Sequence, residues 1–299
     1  MSYKFSIIIP HKNIPNLLRR CLDSVPRRDD IQVVVVDDAS NLPQEIEEIA
    51  SDYKNVELIL TTEGKGAGYA RNQGLEKAKG EWLLFADADD FFSGNLSELI
   101  DKHYADSDDI VYFSADSVYS DSLRHSPKLD NRRARIEKYQ LCPSKIEEFC
   151  RYFHTEPWAK MIRRSLVEQH KIRFDETPLA NDFFFSVVSA YYAKTIAFDN
   201  QVIYMYTERE GSLSFKYSGN EKTMRTRLGV YWGVQQFYDE HEVPYAPFYR
   251  YAISELLLGR SKYTIVIENF LKMKNITMIY ALFRYVKDKF HQYTTGVRL

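Results

Sequence analysis

Cysteine is scarce in this chain and does not form a pattern. Cys21, Cys142 and Cys150 are an odd set with no CxxC spacing, so neither a disulfide framework nor a zinc site is indicated, and a reducing cytoplasm is the expected setting. An excess of one charge is also missing: the formal net charge is -2, which argues against nucleic acid as the main partner. Long apolar runs are absent too. The chain opens Met-Ser-Tyr-Lys and enters Phe5 to Ile9 at once, a run too short for a signal peptide or a membrane span, so export is not expected. There are no repeats and no low-complexity tracts. No Gly-Lys-Ser or Gly-Lys-Thr occurs, which removes a Walker P-loop. The cluster Gly64-Lys-Gly66-Ala-Gly68-Tyr69 fails as a dinucleotide fingerprint. Tyr69 stands where Gly or Ala is needed, the register from Gly66 puts Arg71 there, and the cluster does not open the first βα unit.

What is present suits a soluble α/β protein. The 299 residues allow one large domain or two modest ones, at roughly 100 to 200 residues per domain. Hydrophobic residues make up 44% and charged residues 27%, enough to bury a sizeable core. The 22 Tyr and 18 Phe read either as a Tyr-rich core and surface or as stacking platforms for bases and sugar rings. Apolar runs at Phe5 to Ile9, Ile31 to Val36, Val56 to Leu60, Trp82 to Ala86 and Ile110 to Phe113 alternate with helical patterns, which predicts a largely parallel sheet. Pro15 and Pro43 mark the starts of two helices. A third is expected from Ala67 to Lys79, its small face Ala67, Ala70, Gly74 and Ala78 packed close to the sheet and Gly80 in a left-handed cap. Ser117 to Arg135, polar and basic, reads as a loop or insertion, either solvated or able to close over a phosphate. From Thr223 onward the chain reads as helical. Its tail, Arg260 to Leu299, alternates apolar residues with Lys272, Lys274, Arg284, Lys287 and Lys289. Such a tail fits an anionic membrane surface, or a helix that packs its apolar side inward and leaves its lysines in water.

Chemistry concentrates where the strands end. The run Glu-Trp-Leu-Leu-Phe-Ala-Asp-Ala-Asp-Asp from Glu81 to Asp90 carries a buried strand straight into Asp87, Asp89 and Asp90. Unpaired carboxylates leaving water cost several kcal/mol or protonate, so such a cluster calls for a counter-charge. Hard oxygen donors suit Mg²⁺ or Mn²⁺ shared with substrate phosphates. A metal-bridged nucleotide site is one reading, and a solvated acidic turn is the other. The first strand ends in Pro10-His11-Lys12-Asn13 and the second in Asp37-Asp38-Ala39-Ser40, so polar residues gather at the strand ends where open α/β sheets bind ligands.

Taken in order, several blocks resemble family 2 glycosyltransferases of the GT-A fold. They are Ser6-Ile-Ile-Ile-Pro10, Cys21-Leu-Asp-Ser24, Val33-Val-Val-Val-Asp37-Asp38-Ala-Ser40, Gly68-Tyr-Ala-Arg71-Asn72-Gln-Gly74 and the Gly80 to Asp90 block. The match is dense over about the first 115 residues. Trp158-Ala-Lys160, Ile172-Arg-Phe174-Asp175 and Asn181-Asp182-Phe-Phe184 are similar to that family's acceptor-side pattern. The resemblance implies a GT-A nucleotide-binding fold with a mainly parallel sheet flanked by helices. Residues 1–220 would be the catalytic domain, 1–115 its nucleotide half and 116–220 its acceptor half, with a helical region over 221–299. It further implies inverting transfer of a sugar from a nucleotide diphosphate, UDP above all, to a glycan or lipid-linked acceptor, in surface polysaccharide synthesis.

The same resemblance assigns residues. Asp89 would ligate Mn²⁺ or Mg²⁺, with Asp87 beside the ribose, while the role of Asp90 stays open. Asp38 would read the base next to Pro10, His11 and Asn13, and Asp37 would pin the turn. Arg71 would meet base or phosphate, or pair with a strand-end acid. Asp182 would be the catalytic base, the alternative being a helix N-cap; the family's preceding Glu is Asn181 here. Trp158 would stack on an acceptor sugar or lie in the core, and Lys160 would touch a phosphate or the acceptor. Two other readings remain at this point. A haloacid-dehalogenase-like phosphotransferase also uses Asp-x-Asp, but at the end of its first strand and with Thr or Val where Phe91 stands. A non-catalytic sugar-nucleotide or glycan-binding module is the other.

Overall fold

The first three apolar runs pair in sequence because each intervening helix returns the chain to the same sheet edge. In the computed structural model, which describes residues 3–209, 220–258 and 261–297, the chain forms two units, Met1–Glu210 and Gly211–Leu299. The boundary expected after residue 220 lies beyond this division, and residues 210–219 are outside the described residues.

In the first unit, β1 (Phe5–His11), β2 (Ile31–Asp38), β3 (Val56–Thr61) and β4 (Trp82–Phe85) are parallel, in the order β3-β2-β1-β4. α1 (Pro15–Asp23), α2 (Pro43–Ser51) and α3 (Ala67–Lys77) connect them. β1 and β2 are buried along their whole length, as parallel strands covered on both faces must be. The chain moves outward from β1 to β3 and then restarts on the other side of β1 with β4. That reversal opens the crevice between the carboxyl ends of β1 and β4.

α3 lies close to the sheet, as its small face predicts: a Cβ on Gly74 would fall 2.4 Å from Ile8 Cγ2. Gly80, however, is not a left-handed cap. The helix ends at Lys77 with Ala78 extended, and a Cβ on Gly80 would meet the Phe5 carbonyl carbon at 2.4 Å and the Ser6 nitrogen at 2.5 Å. Close backbone approach, with the Gly80 N–H donating to Ser6 Oγ at 2.8 Å, is what requires glycine there.

The rest of the unit is β5 (Phe91–Phe92), α4 (Leu96–His103), β6 (Ile110–Tyr119), α5 (Asp130–Tyr139), α6 (Pro143–Phe153), β7 (Lys160–Arg163), α7 (Arg164–Gln169), α8 (Phe183–Tyr192) and β8 (Ile196–Glu208). The full order is β3-β2-β1-β4-β7-β6-β8-β5; β7 runs antiparallel to β4 and β6, β8 is parallel to β6, and β5 is antiparallel to β8. Ser117 to Arg135 is therefore a loop only between Tyr119 and Pro127. β6 continues to Tyr119, a 3₁₀ turn spans Pro127–Leu129, and α5 starts at Asp130. Two of its basic residues have acidic partners: Arg133 pairs with Asp116 at 2.8 Å and Arg132 with Glu156 at 2.7 Å.

The second unit is helical, as expected: α9 (Glu221–Glu240), α10 (Pro247–Leu257), α11 (Ser261–Met273) and α12 (Met278–Thr295). Its core gathers Leu228, Phe248, Ala252, Ile267 and Ala281. Asn220 and Thr277 cap α9 and α12 by accepting the N–H groups of Thr223 and Tyr280. Among the described residues, no helix is long and apolar enough to cross a membrane.

Candidate active site

The ends of β1 and β2 are locked to each other. His11 Nδ1 lies 2.7 Å from Asp37 Oδ1, and its Nε2 accepts the Ile14 N–H at 3.1 Å, so the ring carries its proton on Nδ1 and donates it to Asp37. Ser40 adds its backbone N–H and its hydroxyl to Asp37. Burial alone would raise Asp37, but the bonds from His11 and Ser40 hold it below the usual carboxylate range. Asp37 thus pins the turn, and His11 serves the loop with both ring nitrogens. Asn13 joins the two loops by accepting the Asn41 N–H at 2.8 Å, and Pro10 lies beside Val36 within the sheet. Asp38 differs: its Oδ2 accepts from the Gly66 N–H at 2.9 Å and lies 3.3 Å from Lys12 Nζ, while its buried Oδ1 has no partner among the described residues. An orphaned buried acceptor at a strand end is suited to a donor brought by a ligand.

The turn after β4 is held by the end of β8. Tyr204 Oη accepts the Asp87 N–H at 2.9 Å and donates to Asp90 Oδ2 at 2.8 Å; the Thr207 N–H donates to Asp90 Oδ1 at 2.7 Å. The Asp89 carbonyl accepts from Arg20 at 2.6 Å and from the Thr207 hydroxyl at 2.5 Å. Asp90, fully buried, is therefore the anchor of the turn, and Asp87 and Asp89 stay partly open with side chains 33% and 23% exposed. Burial, and then the charge of Asp87, push Asp89 up against the pull of Arg209, whose Nε lies 2.9 Å from Asp89 Oδ2. Burial and both neighbouring acids push Asp90 well up. The residues fit a divalent cation: two hard carboxylates that repel each other and reach solvent gain from positive charge. Among the described residues, no group of three or more His, Cys, Asp or Glu could hold a metal, so phosphate oxygens would complete the shell.

Arg71 spans the cleft. Its Nη2 lies 2.5 Å from Asp87 Oδ1, its Nη1 donates to Asn181 Oδ1 at 2.8 Å, and its guanidinium sits over the Phe174 ring at 5.3 Å. Asp182 follows Asn181 directly. It stands at the N-cap of α8 without making a cap bond, so its carboxylate is not committed to the helix. Burial pushes it up to about 6; Arg71 opposes this, while Asp87 and Glu156 add to it.

Trp158 and Lys160 are not open to an acceptor. The Trp158 ring is 5% exposed, stacked on Tyr204 at 5.1 Å and covered by Arg132 at 5.1 Å. Lys160 is buried, donates to the His154 carbonyl at 2.8 Å, and is pushed down to about 7 by burial. Tyr204, Thr207 and Arg209 are the residues that sequence reasoning missed. The signal for Tyr204 and Thr207 was the β-branched and aromatic run Val202 to Thr207, and Arg209 follows two residues after it.

A mostly parallel sheet with acids at its switch-point strand ends, followed by helices, defines a GT-A type nucleotide-binding fold. The family model described as glycosyl transferase family 2 matches residues 6–170, and the chain belongs to that family. This membership removes the phosphotransferase reading. The chain is 26% identical to EpsH of Bacillus subtilis (strain 168) over 242 residues, 76% of this chain and 66% of that one. It is 28% identical over 228 residues to the poly(ribitol-phosphate) beta-N-acetylglucosaminyltransferase TarS of Staphylococcus aureus (strain Mu50 / ATCC 700699), 70% of this chain and 36% of that one. The match thus spans from about a third to two thirds of these relatives' lengths. Among solved structures, S. aureus TarS 1-349 in complex with UDP-GlcNAc is similar with a TM-score of 0.56 and 26% identity, over 76% of this chain and 66% of that chain. The mannosyltransferase PcManGT from Pyrobaculum calidifontis, in complex with GDP-Man and Mn²⁺, shares the fold at a TM-score of 0.56 and 16% identity, over 98% of this chain and 88% of that chain.

Proposed function

We propose that this chain is an inverting glycosyltransferase that moves a sugar from a UDP-linked donor to a glycan or lipid-linked acceptor, in the cytoplasm at the inner face of the membrane, for surface polysaccharide. One observation carries the reading. Arg71 grips Asp87 with one nitrogen and Asn181 with another, which joins the strand-end acids and Asp182 in one site. Support for UDP comes from the UDP-GlcNAc complex of TarS and from the unpartnered Asp38 Oδ1, a suitable acceptor for the imide N–H of uracil.

Pro10, His11 and Asn13 would wall the base, with Asp87 toward the ribose. Asp89, with Asp87, would hold Mn²⁺ or Mg²⁺, which when bound supplies positive charge to the departing diphosphate. Asp182 takes the proton of the acceptor hydroxyl as that oxygen bonds to the anomeric carbon and the bond to the diphosphate oxygen breaks on the opposite face. Asp182 lies beyond residues 6–170, so its role rests on its place beside Arg71 and on its raised proton affinity. Asn181, neutral where the family carries Glu, leaves Arg71 with a single carboxylate partner, Asp87, among the described residues. Residues 1–115 would form the nucleotide half and 116–220 the acceptor half.

Thermal shift with UDP and UDP-GlcNAc, with and without Mn²⁺, tests the site. Metal-dependent stabilisation that Asp89→Ala removes is expected, together with an Asp182→Asn variant that binds donor and does not transfer. If no nucleotide stabilises the protein, the assignment fails. Binding without turnover over a wide acceptor set would indicate the non-catalytic module instead.

A further inference from the structure

α12 is apolar on its outer face as well as on the side where Met278, Ala281 and Tyr285 pack into the core. At about 100° per residue, its buried positions Ala281, Asp288 and Gln292 share one narrow arc. Asp288 accepts the Ala246 N–H at 2.8 Å and the Gln292 side-chain N–H at 2.7 Å, so two polar side chains share the inward side with the apolar ones. On the opposite arc stand Ile279, Phe283, Val286 and Phe290, which are 82%, 61%, 60% and 67% exposed, with Leu282 at its edge. An apolar stripe of this length on a water-facing helix marks an interaction surface. Lys287 and Lys289, both exposed, flank it at about 80° on either side. The only acid in the helix is the buried Asp288, so its exposed face carries positive charge alone.

We propose that α12 docks on an anionic lipid surface. The stripe would enter the acyl boundary while Lys287 and Lys289 reach the headgroup phosphates. Charge selects this occupant over a second copy of the chain. Two such faces in contact would set lysine against lysine with no exposed acid on either helix to offset them, whereas anionic headgroups match both flanks. The inference deepens the membrane placement proposed above and rests on it for the choice of a lipid surface; the donor site plays no part in it.

The test is flotation of the full chain with vesicles of equimolar phosphatidylglycerol and phosphatidylcholine, and with phosphatidylcholine alone. Binding to the anionic vesicles, weakened by salt, is expected. Phe283→Asp with Phe290→Asp should cut it at least about tenfold with an unchanged circular dichroism spectrum, and Lys287→Gln or Lys289→Gln about fivefold each. Absence of binding, equal binding to neutral vesicles, or retention by the double Asp variant overturns the proposal. So does a concentration-dependent dimer in ultracentrifugation that Phe283→Asp dissolves, since a second copy then covers the face. UDP-dependent stabilisation measured on the same samples reads the donor site separately. Flotation without it leaves the α12 proposal standing and removes the transferase reading.

Discussion

A base that must be ionised to work, and that burial holds at about 6, makes transfer dependent on pH in a defined window. At pH 5 such a carboxyl is ionised in roughly a tenth of molecules and at pH 7 in about nine-tenths, so kcat/KM should rise about tenfold along a single limb. UDP release from UDP-GlcNAc at saturating Mn²⁺, followed across that range, reads the limb directly. Arg71→Gln removes the positive charge that draws Asp182 down, so the limb should move to higher pH and the variant should lose more activity at pH 6 than at pH 8. Asp182→Asn keeps shape and donor binding but accepts no proton, and should lose about 10²- to 10⁴-fold in rate. Stability supplies an independent sign. A carboxyl raised on folding stabilises the fold below its unfolded pKa of about 4, and that contribution is lost as pH rises through about 6. Asp182→Asn should therefore be at least as heat-stable as the parent at pH 7, with the gap closing toward pH 4. A rate that is flat from pH 5 to pH 7 in folded protein, or a limb centred near pH 4, would refute the assignment of Asp182 as a base of raised proton affinity.

Tyr204→Phe keeps the stack on Trp158 but strips partners from the Asp87 N–H and from Asp90. A loss of about 1–3 kcal/mol in urea unfolding is expected, with weaker donor binding as the acid turn loosens. Gly80→Ala forces a Cβ against the backbone of Phe5 and Ser6, which cannot give way as a flexible side chain would. It should cost about 1–3 kcal/mol in the same assay and leave UDP affinity per folded molecule unchanged. Arg209→Gln frees Asp89 from its guanidinium. Mn²⁺ alone, titrated calorimetrically, should then bind several-fold tighter, and equal affinity would show that the ion pair does not compete with metal.

Legibility in the sequence followed the range of the interactions. β1 to β4 and their helices were readable because a parallel βαβ unit is set by local periodicity and by the turn residues that follow each strand. The resemblance, not periodicity, pointed to Asp37 as a turn pin and offered an ion pair with a strand-end acid as one of two roles for Arg71. β7 escaped because its four residues, Lys160 to Arg163, carry little strand signal of their own and are strand only between β4 and β6. The basic run Ser117 to Arg135 looked like a loop because Glu156, which pairs with Arg132, is invisible to any local window. The acid turn shows the limit most sharply. Local sequence identified Asp87, Asp89 and Asp90, but their geometry comes from the far end of β8, more than a hundred residues away. There Tyr204 holds Asp87 and Asp90, Thr207 holds Asp89 and Asp90, and Arg209 meets the open carboxylate of Asp89. A motif can therefore name the groups that would meet a diphosphate, while the spacing between them belongs to a strand outside it, so substitutions at Tyr204 should disturb the donor site without replacing any acid.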